Sequence, residues 1–154
     1  MTTTTVHRGH VEELVVHFDD LDAMGLLHNA RYAVLLERAL SLYWHRHGFD
    51  YAGGRPSHPD VHNAVVEFAI TYRVPVRGTG PVGMHFWLEQ VGESSATYRF
   101  RLLSPDGSVI HAEGRRVIIK LDPATLRPSP WLPESRAVFE LLDQPLAAMS
   151  GAVV

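Results

Sequence analysis

Asp20-Leu21-Asp22-Ala23-Met24-Gly25-Leu26-Leu27-His28-Asn29-Ala30-Arg31-Tyr32 is the stretch on which the reading of this chain turns. Its aspartates and glycine are turn chemistry, because Asp side chains bond nearby backbone and Gly admits positive φ. Beyond it, from about Asn29 to His47, the apolar residues Tyr32, Leu35, Leu36, Ala39, Leu42 and Tyr43 recur at spacings of three and four. That is the period of one helix face, so these six are predicted to be buried together. Glu37, Arg38 and Arg46 fall outside the stripe, and Gly48 is a suitable stop. The helix would be roughly 27 Å long, and the pattern contains no other of that length. Asp22 therefore sits in a turn seven residues before a helix start. Such a start exposes unpaired N–H groups and the positive end of the helix dipole. A carboxylate placed there is suited to attack or hydrate a polarised carbonyl.

On either side of this helix the pattern switches to period two. Val11 to Phe18 reads as a first strand. Phe49 to Asn63, rich in Gly, Pro, His and Asp, reads as a long loop. Four strands are then predicted, over Ala64–Val74, Val82–Val91, Ala96–Leu103 and Val109–Leu121. Gly92-Glu93 and Ser104-Pro105-Asp106-Gly107 supply turns between consecutive strands, giving hairpins in an antiparallel meander. Asp122 to Pro133 is irregular, and Glu134 to Leu142 is a short closing helix. The order is strand, helix and four strands (β-α-β-β-β-β). It predicts an α+β domain with a long central helix packed on a curved five-stranded antiparallel sheet. One domain is expected over 10–142, between a flexible N-terminus (1–9) and a C-terminal tail (143–154). The sheet face away from the helix would carry His85, Trp87, Arg99, Arg101, His111 and Glu113, a polar surface with an exposed Trp that marks a possible subunit contact.

Composition removes several function classes. A chain of 154 residues suffices for one hydrophobic core, and a formal net charge of -3 lacks the basic excess of a nucleic-acid binder. The absence of cysteine removes disulfides, thiolate metal sites and a Cys nucleophile, and matches a cytoplasmic protein. Met1 to His10 is threonine-rich without an apolar core, so no signal peptide is predicted, and no run reaches the roughly 20 apolar residues of a membrane span.

The residues in order resemble the hotdog-fold thioesterases of the 4-hydroxybenzoyl-CoA thioesterase-like family. The resemblance lies in Asp20, Asp22, Ala23, Gly25, Asn29 and Tyr32, followed by Glu37-Arg38-Ala39. It continues through Tyr72-Arg73-Val74-Pro75, Val91 to Ser95, Ser104 to Gly107, Ala112 to Arg115, Arg127-Pro128 and Leu132-Pro133-Glu134, spanning about residues 10–140. It implies a hotdog fold and hydrolysis of an acyl-CoA or acyl-carrier-protein thioester, without metal or other cofactor. It also implies a homodimer or homotetramer with active sites between subunits. Mapped residue by residue, Asp22 is the catalytic carboxylate, as nucleophile or general base. The Asn29 backbone N–H polarises the carbonyl, and Gly25 permits the turn between them. A thioester already has a good leaving group, so the enzyme mainly needs a nucleophile or base and an oxyanion donor. His28 and Tyr32 are candidate substrate contacts, with packing as the alternative for each. Where relatives hold the nucleotide of CoA with basic residues near the first hairpin, this chain has Gly92-Glu93. Arg73, Arg77 or Arg115 would then grip the carrier, or the carrier is a protein.

Other readings of the same residues are weaker. A calcium loop starting at Asp20 lacks a ligand at Met24 and meets Arg31 where a bidentate Glu is required. His45 and His47 cannot face one ion from a helix, and His58-Pro59-Asp60-Val61-His62 has no third ligand nearby. Glu37 is expected as an ion pair or a second carboxylate, and Arg115-Arg116 as a charge pair at a strand edge. An acyl-binding module without catalysis is the alternative function. A hydratase, which pairs an acid with His, is disfavoured by the Asp22–His28 spacing.

Overall fold

In chain order the computed structural model consists of β1 (His10–Val16), α1 (Arg31–Arg46), β2 (Asn63–Tyr72), β3 (Gly80–Val91), β4 (Ser95–Leu103), β5 (Ile110–Lys120) and α2 (Pro133–Leu141). It describes residues 6–146, so the outer parts of the expected flexible ends, 1–5 and 147–154, lie outside the described residues. The predicted element order holds, and the five strands form one antiparallel sheet in the order β1-β3-β4-β5-β2. Both expected hairpins form. Gly92 N–H bonds Ser95 C=O at the first, and Ser104 N–H bonds Val109 C=O at the second. The meander ends there, because β2 pairs with β5 at the far edge and leaves β3 to β1 and β4. The chain therefore crosses between β2 and β3 through residues 73–79, and this crossover later braces the Asp22 turn.

The core follows from two periodicities meeting. Ala96, Tyr98, Phe100 and Leu102 alternate into it from β4, and Met84, Phe86 and Leu88 do so from β3. From α1 come Tyr32, Leu35, Leu36, Ala39, Leu40 and Tyr43. Leu42, predicted in this stripe, is 42% exposed, and Leu40 takes its place. Leu40 lies four residues past Leu36 and three before Tyr43, so a 3.6-residue turn brings it under the helix and swings Leu42 outward. Burying each such side chain stabilises the fold by roughly 1.5–3 kcal/mol. Gly114 on β5 is required by close packing, since a Cβ there would run into the Ala69 carbonyl and the Phe100 ring.

The outer sheet face differs from expectation at Trp87, which is buried rather than exposed. Residues just before β1 and just after α2 fold over it. Gly9 lies against the Trp87 side chain, His85 Nε2 donates to Arg8 C=O (2.8 Å), and Gly9 N–H donates to Gln144 C=O (3.2 Å). Arg101 completes the cover, its guanidinium carbon 5.3 Å from the ring centroid. Trp87 is therefore covered by its own chain rather than exposed.

Candidate active site

Residues 20–28 form a tight hairpin. Leu21 bridges Leu27, Asp22 N–H donates to Leu26 C=O (2.7 Å), and His28 N–H donates to Asp20 C=O (2.9 Å). Inside it, Asp22 Oδ1 accepts from Met24 N–H (2.8 Å) and Leu26 N–H (3.1 Å). Asp22 is thus an Asx-turn residue whose second oxygen, Oδ2, has no partner among the described residues, and the residue is only half-buried. Gly25 takes φ 75° with nothing within 4 Å of a would-be Cβ, so left-handed backbone rather than crowding calls for glycine. Asp20 is almost fully buried. It accepts from His17 N–H (2.8 Å) and lies 3.7 Å from Arg31 Nε, consistent with a turn-making role.

The crossover holds this hairpin from the other side. Leu27 N–H donates to Val76 C=O (2.9 Å), Gly78 N–H donates to Gly25 C=O (2.8 Å), and Leu26 bridges Arg77. Residues 76–78 thus act as a third short strand beside the turn.

At its other end the hairpin runs into α1, which begins at Arg31, two residues later than predicted. His28-Asn29-Ala30 is a turn, closed by Arg31 N–H on His28 C=O (2.8 Å). The peptide between Asn29 and Ala30 is pinned by side chains at both ends. Its N–H donates to His28 Nδ1 (3.0 Å), and its C=O accepts from the Tyr72 hydroxyl (3.2 Å). The neighbouring Asn29 N–H has no partner among the described residues and lies at the surface. Tyr32 points into the core, its ring edge-on to Tyr72 at 4.9 Å, and burial raises its hydroxyl above the ordinary phenol range.

The three candidate carrier-binding arginines fare differently. Arg73 Nε lies 3.6 Å from Glu113, and Arg115 holds Glu67 bidentately at 2.8 and 2.9 Å. Arg77 is exposed beside the hairpin and has no side-chain partner among the described residues.

A cavity lies apart from this stretch. About 630 Å³ in volume, it opens along the C-terminal half of α1, where Leu40, Trp44, Phe49, Trp131 and Phe139 line it and Asn63 and Val65 sit at its β2 side. No residue of the Asp20–Tyr32 stretch reaches it. Arg116, expected at a strand edge, is instead buried in its wall. Its Nη1 ion-pairs with Glu37, and its Nε has no partner. Below, Asp60 pairs with Lys120 and accepts from Ser135 Oγ (2.5 Å) and Leu132 N–H (2.8 Å). Burial opposes the Asp60 charge, but Lys120, Ser135 and the Leu132 N–H outweigh it and hold the carboxyl below its ordinary range. His58 accepts from Asp60 N–H (3.1 Å), so the His58–His62 segment serves this lock. Alternation along β5 carried a signal for both cations. Ala112, Gly114, Arg116, Ile118 and Lys120 share one face, so two cations were bound to point inward and need partners.

Comparison with known proteins gives the class. The thioesterase superfamily matches residues 24–111, more than half of the sequence, including Gly25, Asn29, Tyr32, Arg73 and Arg77 but stopping two residues short of Asp22. The chain belongs to the thioesterase superfamily and has its hotdog fold. The PA5185 protein from Pseudomonas aeruginosa strain PAO1 superposes with a TM-score of 0.76 at 23% identity, over 92% of this chain and 96% of that one. DHNA-CoA thioesterase from Staphylococcus aureus gives 0.71 at 18% identity, over 85% and 88%. Slr0204, a 1,4-dihydroxy-2-naphthoyl-CoA thioesterase from Synechocystis, gives 0.75 at 12% identity, over 88% and 98%. At these identities the structures establish the fold alone. A search of curated proteins finds no match. Among the described residues, no helix is long and apolar enough to cross a membrane.

Proposed function

We propose that this protein hydrolyses an acyl thioester of coenzyme A or an acyl carrier protein to a free acid and a thiol, in the cytoplasm and without a cofactor. The observation that carries the reading is the half-buried Asp22 carboxylate in a braced hairpin that ends at the unpaired Asn29 N–H, in a chain of the thioesterase superfamily. The Asn29 N–H would stabilise the oxyanion as the carbonyl is attacked, a kind of contact typically worth roughly 2.7–4 kcal/mol. Asp22 Oδ2 would either attack the carbonyl carbon, giving a mixed anhydride that water then opens, or take a proton from the attacking water. Both routes return the carboxylate and release the thiol. His28 and Tyr72 keep the adjoining peptide fixed, so the donor costs no reorganisation during reaction. Arg77 stands beside the hairpin, available to a carrier phosphate.

The working unit in this reading is a homodimer, or a homotetramer built from it. β2 is an edge strand whose outer flank has no neighbour among the described residues, and Val65, Val66 and Tyr72 along it are about half exposed, which is uncommon in a strand without a partner. Antiparallel pairing of two β2 strands about a two-fold axis would lay Tyr72 of one copy beside Asn63 of the other. The Asp22–Asn29 hairpin, tied to Tyr72, would then open onto the second copy's cavity. The test is hydrolysis of a panel of acyl-CoA and acyl-carrier thioesters by wild type and Asp22→Asn. No turnover of any member, or an unimpaired variant, overturns the proposal.

One observation favours the alternative of a binding module without catalysis: the Asp22 side chain already serves its own turn. Thioester binding without turnover, at an affinity unchanged in Asp22→Ala, would establish that reading instead.

A further inference from the structure

We infer that His28 is a positioning residue for the Asn29 N–H and that it holds this donor only while its ring is neutral, so that hydrolysis falls as His28 takes up a proton. The inference rests on the thioesterase reading for the reaction it governs. α1 lacks the usual device at its start. Its N-cap is Ala30, which has no side-chain oxygen to offer, and no acidic residue stands in the first turn. The acceptor comes instead from two residues upstream. His28 Nδ1 takes the Ala30 N–H at 3.0 Å, while His28 C=O takes the Arg31 N–H at 2.8 Å. The Asn29 N–H belongs to the same planar peptide as the His28 C=O. Ring and carbonyl of one residue therefore close the turn that aims the free donor.

An imidazole nitrogen that accepts a hydrogen bond carries no proton, so the neutral ring bears its hydrogen on Nε2. Protonation puts a hydrogen on Nδ1 as well, donor against donor with the Ala30 N–H. That N–H is then released, and the turn keeps only the Arg31 N–H bond and the Tyr72 hydroxyl on Asn29 C=O. The ring is exposed, so protons reach it freely. The charged and titratable groups on the elements around it are Asp19, Asp20 and Asp22 ahead of and within the hairpin, Arg31 on α1, Tyr72 on β2 and Arg77 on the crossover. Among the described residues none of them bonds the ring, whose one hydrogen bond is to the Ala30 N–H. The state of His28 is therefore felt through a single contact, one residue from the Asn29 donor.

Two variants of the full chain separate the ring's acceptor from its proton. His28→Asn can accept from the amide two residues on, as Asn does in turns, and does not titrate. His28→Leu fills a similar space and accepts nothing. Steady-state hydrolysis of the best thioester of the panel is followed from about pH 8 to about pH 5, the range in which histidines change charge. Wild-type kcat should fall about five- to tenfold, the scale of one hydrogen bond lost from the turn. His28→Leu should be low throughout, and His28→Asn should recover most of that loss and hold it to the acid end. A second readout needs no turnover. By NMR of the isotope-labelled protein, the wild-type Ala30 amide proton should move upfield together with the titration of the His28 ring, and in His28→Asn it should stay in place. If His28→Leu fails to fold by thermal melt, wild type and His28→Asn give the comparison alone. A flat wild-type profile, a fall as steep in His28→Asn, a kcat that rises as His28 is protonated, or an Ala30 amide indifferent to the ring overturns the inference. A protein that hydrolyses nothing while Ala30 follows His28 would sink the enzyme reading and leave the turn's dependence on His28 standing; hydrolysis with Ala30 uncoupled from the ring would do the reverse.

Discussion

The two halves of α1 serve different surroundings. Before its N-terminus the chain is polar and backbone-bound: a hairpin closed by its own N–H and C=O groups, braced by residues 76–78, exposing a carboxylate oxygen and one free N–H. Along its C-terminal half, side chains dominate, with packed aromatics around a cavity and two buried cations each held by a carboxylate. Arg31, the first residue of α1, and the cavity-lining Ser41 are separated by roughly 15 Å along the helix axis. The hairpin and the cavity therefore lie apart in one protomer, and the proposed site joins them only through a second copy paired along β2. Breaking each half separately should give different signatures.

The largest effect is expected at the hairpin. Asp22→Asn keeps an acceptor oxygen for Met24 and Leu26 N–H, so the turn and the melting temperature should survive. Loss of a nucleophile or base should lower kcat by about 10²–10⁴-fold in a steady-state thioesterase assay. In the other half, Asp60→Asn should leave Lys120 buried without its counter-charge and destabilise the fold by about 3–5 kcal/mol, read by urea unfolding at pH 7. The same carboxylate gives a pH signature. Its folded pKa lies below its unfolded value of about 3.9, so the stability it contributes is fully present above that pH and is lost as pH falls through the folded value. Asp60→Asn should therefore flatten the acid limb of the stability curve below about pH 4.

Between the two halves, Val66→Lys, at the exposed irregularity of edge strand β2, should shift the protein to monomer in light scattering. It should also lower kcat/KM by roughly tenfold or more while a monomer's fold persists. The smallest effect belongs to Tyr72→Phe. It removes only the hydroxyl on Asn29 C=O, so kcat should fall about five- to tenfold with KM and melting temperature nearly unchanged. A matching rise in KM would make Tyr72 a substrate contact instead.

How far the sequence revealed each half follows the same division. The hairpin is local: Asp20, Asp22 and Gly25 are turn residues by chemistry, and their roles in the turn are readable within a dozen positions. The strands and both hairpins of the β3-β4-β5 meander were equally legible, because period-two alternation and Gly or Asp turns are local signals. The second half depends on distant contacts. Asp60 meets Ser135 and Lys120 across loops no pattern connects, and the pairing of β2 with β5 is set by the crossover rather than by any turn. Trp87 looked exposed because its cover comes from beyond both ends of the sheet. Arg116 was within reach, since its parity with Ala112 and Ile118 places it inward, but a doublet of arginines reads as surface when taken as a pair.

The claim that the carboxylate of one copy serves the cavity of another is tested most directly by mixing two inactive proteins. One carries Asp22→Ala; the other carries Ser41→Trp, which blocks the cavity from its solvent side. If the site is shared, each mixed dimer holds one undamaged site of its two, and with half of the dimers mixed, activity should recover to roughly a quarter of wild type. If Asp22 serves the cavity of its own chain, every site in every dimer keeps one lesion, and co-refolded mixtures would stay as inactive as the parents.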